Sequence, residues 1–510
     1  MEGTSAGGAP VARTTAGRVR GTVDEGVCVF KGVPYGTVRR FAAPGPPEPW
    51  AGVRDALDYG PRCPQPGRAS AIDPSDTTPM GEDCLVANVW TRAVGDGGGR
   101  PVMVWFHGGG FSSLSGSSPL YDGVALCRRG DVVVVTVNHR LNVFGFLHLG
   151  GRGGDPDSGN AGMLDLVAAL GWVRDNAAEF GGDPGNVTVF GESGGGAKVC
   201  VLMGMPAAEG LFHRAIVQSG VHVRGLTPDA ADANAARVLA ELGSADPLTA
   251  PSEDVVAAYQ RVTAAGRVAF SPVADGRHLP RSPWEPDAPP WSAAVPLMLL
   301  STRTETSLIA GVRDRSLFTL DDAGLRATLR RGWLHDADGS GGGGVDAIVD
   351  EFARLHPGAP PSELFFLITS DLYSRLPGWA VADRKAAQAA ATGSGRVWHA
   401  ELVWDTPVDG GRWLSPHTLD IPMVFANVGR TRSYAGRSEA AHRVSDQMSA
   451  AWLAFARSGD PNHPGIPAWP AYTAERPVTM LFDVESRVEP DWRGGERKVL
   501  GHLPLRVPRR

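Results

Sequence analysis

Short apolar runs alternate with helical patterns along the first 220 residues of the chain. Runs rich in β-branched residues, typical of buried strands, occur at residues 101–106, 131–137 and 186–190. Between the last two runs, residues 162–180 carry apolar side chains at helical spacing. This alternation predicts an α/β fold, in which a large, mostly parallel central sheet is flanked by helices.

The pattern changes after residue 225. Alanine-rich amphipathic segments at 230–242 and 253–265 predict helices, and 441–458 predicts another. Strand-like runs occur at 295–300 and 397–403. We expect one domain over residues 1–510, in which roughly 225–345 contributes a helical, cap-like insertion.

Composition excludes a disordered chain, although 66 glycines and 41 prolines among 510 residues make up about a fifth of it. The hydrophobic fraction is 42 %, with 14 tryptophans, enough to bury a core. The formal charge is −6, and 45 of the 49 basic residues are arginines, scattered without a basic stripe. This imbalance favours GC-rich codon usage over nucleic-acid binding.

The sequence predicts no membrane span and no metal site. No window of 18 apolar residues exists, and the first 21 residues lack the apolar run of a secretory signal. Five cysteines, an odd number, show no metal-binding spacing. We therefore expect a cytoplasmic protein without a metal, a cofactor or a membrane partner.

The sharpest motif is Gly191-Glu192-Ser193-Gly194-Gly195, which follows a predicted strand and precedes a helix. It matches the G-x-S-x-G nucleophile elbow, in which a strained turn exposes a serine hydroxyl above the sheet. A glycine-rich turn that happens to contain serine is the alternative. The flanking strand and helix favour a nucleophile at Ser193.

A second glycine cluster, His107-Gly108-Gly109-Gly110-Phe111, follows the strand at 101–106. Loops of this type supply backbone N–H donors for the oxyanion in lipases and esterases. We assign the oxyanion hole to the amides of Gly109, Gly110 and Gly194.

With these motifs the chain resembles the type-B carboxylesterases, the cholinesterase-like branch of the α/β-hydrolases, over nearly its whole length. It is most similar in pattern to bacterial members of the para-nitrobenzyl-esterase type. Further landmarks in family order are FKGVPY at 30–35, EDCLVANVW at 82–90, NHRL at 138–141, GGDPGN at 181–186 and IVQSG at 216–220.

The resemblance implies the chain order nucleophile, acid, histidine. Residues 415–425, SPHTLDIPMVF, resemble the family's catalytic-histidine segment, so that His417 is the expected base. The other histidines of this region lie in less suitable contexts, namely His335, His356, His399, His442, His463 and His502.

The expected acid is Glu305, which follows the carboxyl end of the strand at 295–300, where α/β proteins place site residues. The family's usual acidic segment is here Thr304-Glu305-Thr306. Asp314 and Asp321 are rivals that lie further beyond the strand.

The resemblance also implies roles outside the triad. Glu82 and Arg140 resemble a structural ion pair of the family, and Cys63 and Cys84 bracket a loop that is closed by a disulfide in secreted relatives. In a cytoplasmic protein we expect these two cysteines to be mostly reduced. Apolar walls of the substrate site are expected at Phe111, Leu114, Trp413 and Phe425, which lie beside the motifs, and packing within the core is the alternative for each of them.

These features predict a serine carboxylesterase that hydrolyses small-molecule esters through an acyl-enzyme, as a monomer or homodimer. Acyl transfer or cyclisation in a biosynthetic pathway is an alternative, since it needs the same triad. A catalytically inactive, cholinesterase-like binding module is the alternative from another class.

Overall fold

The computed structural model describes residues 8–67, 76–266, 268–334 and 344–505. They form two compact units. The first comprises the described residues up to Pro296 together with Trp452–Pro461, and the second comprises Leu297–Ala451 and the described residues from Asn462 onward.

The first unit contains the strands β1 (Val11–Arg13), β2 (Arg18–Arg20), β3 (Thr22–Asp24), β4 (Val27–Pro34), β5 (Val53–Asp55), β6 (Val86–Thr91), β7 (Arg100–Phe106), β8 (Val133–Val137), β9 (Gly182–Glu192) and β10 (Arg214–Gln218). Strands β8, β7, β9 and β10 are parallel neighbours, and β6, β4 and β3 continue from β8 in antiparallel order. In register, Phe106 pairs with Gly191, and Glu192 pairs with Gln218. The carboxyl ends of β7, β9 and β10 therefore lie side by side.

The helices of the first unit are α1 (Val124–Gly130), α2 (Asn142–Phe146), α3 (Ala161–Asn176), α4 (Gly194–Met203), α5 (Pro228–Leu242) and α6 (Ser252–Ala265). Every residue of α4 is buried, Lys198 included, as is expected for a helix that is otherwise apolar on all sides. It starts directly after β9 and packs against β7, β9 and β10. Helices α5 and α6 are amphipathic and pack against each other.

The second unit contains the strands β11 (Leu297–Thr302), β12 (Val397–Leu402), β13 (Val478–Phe482) and β14 (Arg487–Pro490). The first three are parallel, and β14 pairs antiparallel with β13. Thr302 pairs with Leu402, and Leu402 with Phe482, so the carboxyl ends of these strands are also aligned.

The helices of the second unit are α7 (Glu305–Ile309), α8 (Asp322–Thr328), α9 (Gly344–Leu355), α10 (Pro361–Ser370), α11 (Leu376–Thr392), α12 (Asp420–Val424), α13 (Glu439–Ser458, of which the residues from Trp452 belong to the first unit) and α14 (Gly494–Leu500). A buried cluster from α8, α9 and α10 forms a core of this unit. Among the described residues of this unit, two π-helical turns occur, at Leu329–Trp333 and at Asp371–Arg375.

The predicted α/β architecture is confirmed, with shifted element ends. The five predicted strands correspond to β7, β8, β9, β11 and β12, and the predicted helices correspond to α3, α5, α6 and α13. The helix expected at 162–180 ends at Asn176 and continues as a 3₁₀ turn, Ala177–Phe180. The single domain with a cap from 225–345 stays a prediction.

Within the described ranges, the helices are too short or too polar to cross a lipid bilayer.

Candidate active site

Ser193 occupies a sharp turn between β9 and α4 in the first unit. Its φ is 56° and its ψ is −121°, a region that a non-glycine residue enters only when its surroundings enforce it. The Ser193 N–H donates to the carbonyl of Gln218, at the end of β10, over 2.8 Å. Ser193 is 8 % exposed, so it is largely buried at this turn.

Close backbone approach explains the glycines around this turn. A Cβ on Gly191 would lie 2.6 Å from the carbonyl oxygen of Phe106, and a Cβ on Gly195 only 1.8 Å from it. In the segment that follows β10, a Cβ on Gly220 would lie 1.7 Å from the carbonyl oxygen of Ser193. Real Cβ atoms do not come this near to a backbone, so only glycine fits at these positions.

The glycine loop after β7 presents its amides beside the same turn. Gly109 and Gly110 have φ values of 77° and 64°. A Cβ on Gly194 would lie 2.3 Å from the nitrogen of Gly110, so the two segments touch. In the part of the chain that the structure describes, the N–H groups of Gly109, Gly110 and Gly194 donate to no backbone carbonyl. These donors are therefore available to an anionic oxygen.

A buried lysine side chain contacts the start of this loop. The Lys198 side chain, on α4, is fully buried, and its Nζ donates to the carbonyl of His107 over 2.8 Å. The rings of His107 and His139 stack with centroids 5.1 Å apart. Burial lowers the pKa of both imidazoles well below the usual value, and the charge of Lys198 lowers each pKa further. Both rings are therefore neutral at ordinary pH.

In the second unit, Glu305 and His417 form a hydrogen-bonded pair. Glu305 begins α7, directly after β11, and its Oε2 lies 2.6 Å from Nδ1 of His417. Both side chains are buried, with 0 % and 2 % exposure. The second carboxylate oxygen, Oε1, accepts the N–H of Thr302 over 2.9 Å. The pair fixes the orientation of the imidazole and leaves Nε2 as the nitrogen on its far side.

The two loops that carry this pair are bonded to each other. The Thr304 N–H donates to the carbonyl of Ser415 over 2.9 Å, and the Ser415 N–H donates back to Oγ1 of Thr304 over 3.0 Å. Ser307 Oγ donates to the carbonyl of Trp413 over 2.7 Å. These bonds hold the histidine loop against the start of α7.

A third element of the second unit supports the histidine. Tyr373, in the π-helical turn Asp371–Arg375, meets the His417 ring edge to face, with centroids 5.8 Å apart. From the same turn, Arg375 donates to the carbonyls of Thr302 and Arg303 over 2.8 and 3.0 Å. The turn therefore supports the imidazole and the strand end that leads to Glu305.

The rival acids lie in other surroundings. Asp314 is exposed, and its carboxylate accepts the N–H and hydroxyl of Ser316. Asp321 accepts the N–H of Gly324 at the start of α8. Both therefore cap local backbone turns, whereas Glu305 is bonded to an imidazole.

The other histidines have local partners or are exposed. His356 contacts Glu496 over 2.9 Å, and His399 lies within β12 beside Thr479. His463 Nε2 lies 3.1 Å from the carbonyl of Gln447. His442 and His502 are exposed, and His335 lies outside the described residues.

The aromatic residues expected to line the substrate site are buried. Phe111 packs edge to face against Phe146 and His222 in the first unit. Trp413 bonds Asp409 through its Nε1 over 2.7 Å. Phe425 follows α12 and is closed to solvent. Their role as substrate walls stays a prediction.

The expected ion pair between Glu82 and Arg140 is wrong in its partners. Arg40 donates from its Nε to Glu82 over 2.8 Å, whereas Arg140 forms a buried, two-pronged pair with Asp165. The family motifs in the sequence identify Glu82 and Arg140 as charged residues of the scaffold. Which residue each of them pairs with depends on the direction of its long side chain in the folded protein.

All five cysteines are free thiols. Cys63 and Cys84 are buried beside each other, and the thiol-to-thiol hydrogen bond, together with burial, raises the pKa of Cys84 well above the usual value. Across the described ranges, no group of three metal-binding side chains occurs.

Sequence reasoning missed Lys198 and Tyr373. A lysine inside a wholly apolar helix of a lysine-poor chain was the available signal for Lys198. Nothing in the sequence around Tyr373 indicates the π-helical turn that carries it. The first unit offers a strained serine and unbonded amides, and the second unit offers an oriented imidazole. These are the parts that nucleophilic acyl transfer needs.

Comparison with known proteins points in the same direction. Residues 8–496 match the model of the carboxylesterase family. The chain is 35 % identical to the para-nitrobenzyl esterase of Bacillus subtilis (strain 168), over 96 % of this chain and 98 % of that protein. It is 32 % identical to the phenmedipham hydrolase of Pseudarthrobacter oxydans, over 93 % and 95 % of the two chains.

Among solved structures, the Geobacillus stearothermophilus carboxylesterase EST55 is 38 % identical and superposes with a TM-score of 0.81, over 96 % of this chain and 99 % of that one. An esterase from Clostridium hathewayi is 34 % identical, also with a TM-score of 0.81, over 97 % and 98 % of the two chains.

Proposed function

The chain belongs to the carboxylesterase family and is a carboxylic-ester hydrolase, and we propose that it acts through an acyl-enzyme formed on Ser193. In this mechanism, His417 takes the proton of the Ser193 hydroxyl as its oxygen adds to the ester carbonyl carbon. Glu305 accepts the Nδ1 proton in a hydrogen bond and stabilises the imidazolium. The observation that carries the proposal is the buried Glu305–His417 bond of 2.6 Å.

The tetrahedral oxyanion would be bound by the amides of Gly109, Gly110 and Gly194. Their N–H groups are unbonded within the described ranges, and the two segments that hold them are in contact. When the intermediate collapses, the carbon–oxygen bond to the alcohol breaks, and His417 returns its proton to the leaving alkoxide. Water then adds to the acyl-enzyme with His417 again as base, which releases the acid and frees Ser193.

The direct test is Ser193→Ala with a short-chain p-nitrophenyl ester. We expect turnover to fall to near background while the protein stays folded, since only a hydroxyl is removed. Ser219→Ala is a matched control: Ser219 is also buried, has a φ of 51°, and its hydroxyl has no bonding partner in the described structure.

Covalent labelling of the serine is the second measurement in this test. A fluorophosphonate probe should modify the wild type and Ser219→Ala at Ser193 and leave Ser193→Ala unlabelled. Full ester turnover by a folded Ser193→Ala variant, or labelling at another serine, contradicts the proposal.

We further propose small-molecule esters as the substrates of a cytoplasmic, bacterial enzyme that acts as a monomer or homodimer without a nucleic-acid partner. The free thiols support a reducing compartment. The names of two bacterial relatives support small aromatic compounds as substrates. A panel of esters that vary in acyl and alcohol size, with the mass in solution from light scattering, tests this part.

A further inference from the structure

Lys198 is unusual for this chain. Lysine occurs four times against 45 arginines, yet one of the four is fully buried on α4, five residues after Ser193. A buried ammonium loses its hydration, and it is retained only where specific contacts compensate for that loss. An arginine at this position would bring five N–H donors on a wide, planar group, whereas the ammonium is compact.

One contact of this side chain joins two segments. Nζ donates to the carbonyl of His107 over 2.8 Å, and His107 directly precedes Gly108–Gly110. The proposed oxyanion hole takes two amides from this loop and the third, that of Gly194, from the start of α4. The Lys198 side chain therefore ties the helix that carries one donor to the loop that carries the other two.

The positive charge of Lys198 acts on the glycine loop, since burial and then this charge lower the pKa of the neighbouring His107. The adjacent rings of His107 and His139 are neutral, and the ring of Phe111 lies 6.0 Å from Nζ. The buried carboxylate of Glu192 borders the same loop, since its Oε2 is 3.2 Å from where a Cβ on Gly108 would be. A positive charge in this low-dielectric setting favours the negative charge that develops on the substrate oxygen.

We propose that Lys198 is a positioning residue for the oxyanion hole, which holds the glycine loop against the nucleophile helix and favours the tetrahedral intermediate through its charge. The proposal rests on the acyl-enzyme function proposed above. It assigns Lys198 no contact with substrate, and predicts that its loss weakens binding of the intermediate more than binding of the ester.

The test compares Lys198→Met and Lys198→Gln with Lys385→Met. Lys385 is a second buried lysine, on α11, whose Nζ donates to Gln388 over 2.8 Å. It controls for the general effect of removing a buried lysine side chain. The readouts are kcat, KM and the inhibition constant of an aryl trifluoromethyl ketone, which binds as a tetrahedral adduct of the serine oxygen.

We expect Lys198→Met to lower kcat by about 10- to 100-fold, somewhat less than the loss of a whole oxyanion donor. KM should stay within about threefold, and the inhibition constant should rise by the same factor as kcat falls. Lys385→Met should change none of the three by more than about threefold. Lys198→Gln, which keeps an N–H donor but no charge, should lie between Lys198→Met and the wild type.

Three results overturn the proposal. The first is a Lys198→Met enzyme whose kcat is within threefold of the wild type. The second is a fall in kcat without a matching rise in the inhibition constant. The third is failure of both Lys198 variants to fold while Lys385→Met folds, which makes the lysine purely structural. If instead the wild type has no esterase activity, or Ser193→Ala keeps it, the proposed function itself fails.

Discussion

Single residues of the glycine loop have requirements that only one amino acid meets. Gly109 has a φ of 77°, and a Cβ there would lie 2.2 Å from the carbonyl oxygen of Ser113. Both the conformation and the space exclude a side chain. A substitution at Gly109 must therefore move the loop and its amides.

We predict that Gly109→Ala lowers kcat by about 100- to 1,000-fold, the effect of losing one oxyanion donor. Gly210→Ala is the matched control, because Gly210 has a φ of 75° but nothing within 4 Å of an added Cβ. The control should be somewhat less stable and fully active. Steady-state kinetics on both variants, with circular dichroism as a folding check, separate strain from loss of the donor; equal activities contradict the assignment.

The carboxylate of Glu305 needs both of its oxygens. Oε1 accepts the N–H of Thr302 and Oε2 accepts from Nδ1 of His417. In Glu305→Gln, only one oxygen acceptor is left for two donors. If the amide NH₂ faces Nδ1, the imidazole must carry its proton on Nε2 and cannot act as a base.

We therefore predict that Glu305→Gln lowers kcat by about 10⁴-fold at neutral pH without unfolding the protein. Asp314→Asn, at an exposed carboxylate bonded to Ser316, should keep full activity. Activity assays at pH 7 on the two variants decide between them; a large loss in Asp314→Asn alone would transfer the role of the acid.

For single residues, the sequence predicts those features that depend on the neighbouring residues in the chain. Ser193 is a candidate nucleophile because strand, glycines and helix are contiguous, and Glu305 is a candidate acid because it is the first carboxylate after β11. The pairing of Arg140 with Asp165 is not predictable in this way, since the partners are 25 residues apart and meet only through the packing of α3.

Among the elements, the π-helical turn between α10 and α11 has the most specific effect on the site. It presents Tyr373 to the His417 ring, and Arg375 to the carbonyls after β11. Turns of this kind are rare and often occur at functional sites. Its widened geometry lets two side chains of one turn, the half-buried Tyr373 and the buried Arg375, reach two different loops.

We predict that Tyr373→Ala lowers kcat by about two- to tenfold, in line with the 0.5–1.5 kcal/mol of an aromatic edge contact. Tyr373→Phe keeps the ring and should stay near the wild-type rate. Kinetics and thermal unfolding of both variants provide the measurement. A wild-type rate in Tyr373→Ala would mean that Glu305 alone orients the histidine.

The ends of the strands are less predictable from the hydrophobic pattern than the strands themselves. The strand expected at 186–190 extends in β9 from Gly182 to Glu192, because β7 and β10 pair with its glycine-rich ends. Strand propensity disfavours those glycines, and the sheet overrides it. Strands β7 and β8, buried except for Arg100 at the start of β7, were easier to predict, because apolar runs of strand length leave few alternatives.

Over the whole molecule, buried histidines determine how stability depends on pH. Burial lowers the pKa of His222 and of His399 to about 4, from a usual value of 6.5. The unfolded chain therefore binds protons between pH 6.5 and 4 that the folded chain does not. Stability rises with pH across this window and is lost as the pH falls through it.

Buried carboxylates do not account for the same window. Burial alone would raise the pKa of Glu401, but the charges of Arg493 and Arg375 outweigh it and lower this pKa to about 2. The stability that Glu401 contributes is present above its unfolded pKa and is lost as the pH falls towards 2. The loss of stability between pH 6.5 and 4.5 is therefore expected from the buried histidines and not from Glu401.

We predict that the free energy of unfolding, from urea titrations at pH 7, 5.5 and 4.5, falls steadily towards the acid side. His222→Phe should reduce that slope by up to one proton per molecule, because the ring packs against Phe111 without needing a charge. His442→Gln, at an exposed position, should leave the slope unchanged. An unaltered slope in His222→Phe contradicts this account.

The contacts around the nucleophile turn have a consequence for protein engineering. The Ser193 turn fits only because the end of β7 approaches Gly195, and the segment after β10 approaches the serine through Gly220. Grafting the pentapeptide Gly191–Gly195 alone onto another sheet would transfer the sequence motif without the space that the neighbouring strand ends leave for it. The smallest portable module is three strand ends with their glycines, moved together in register.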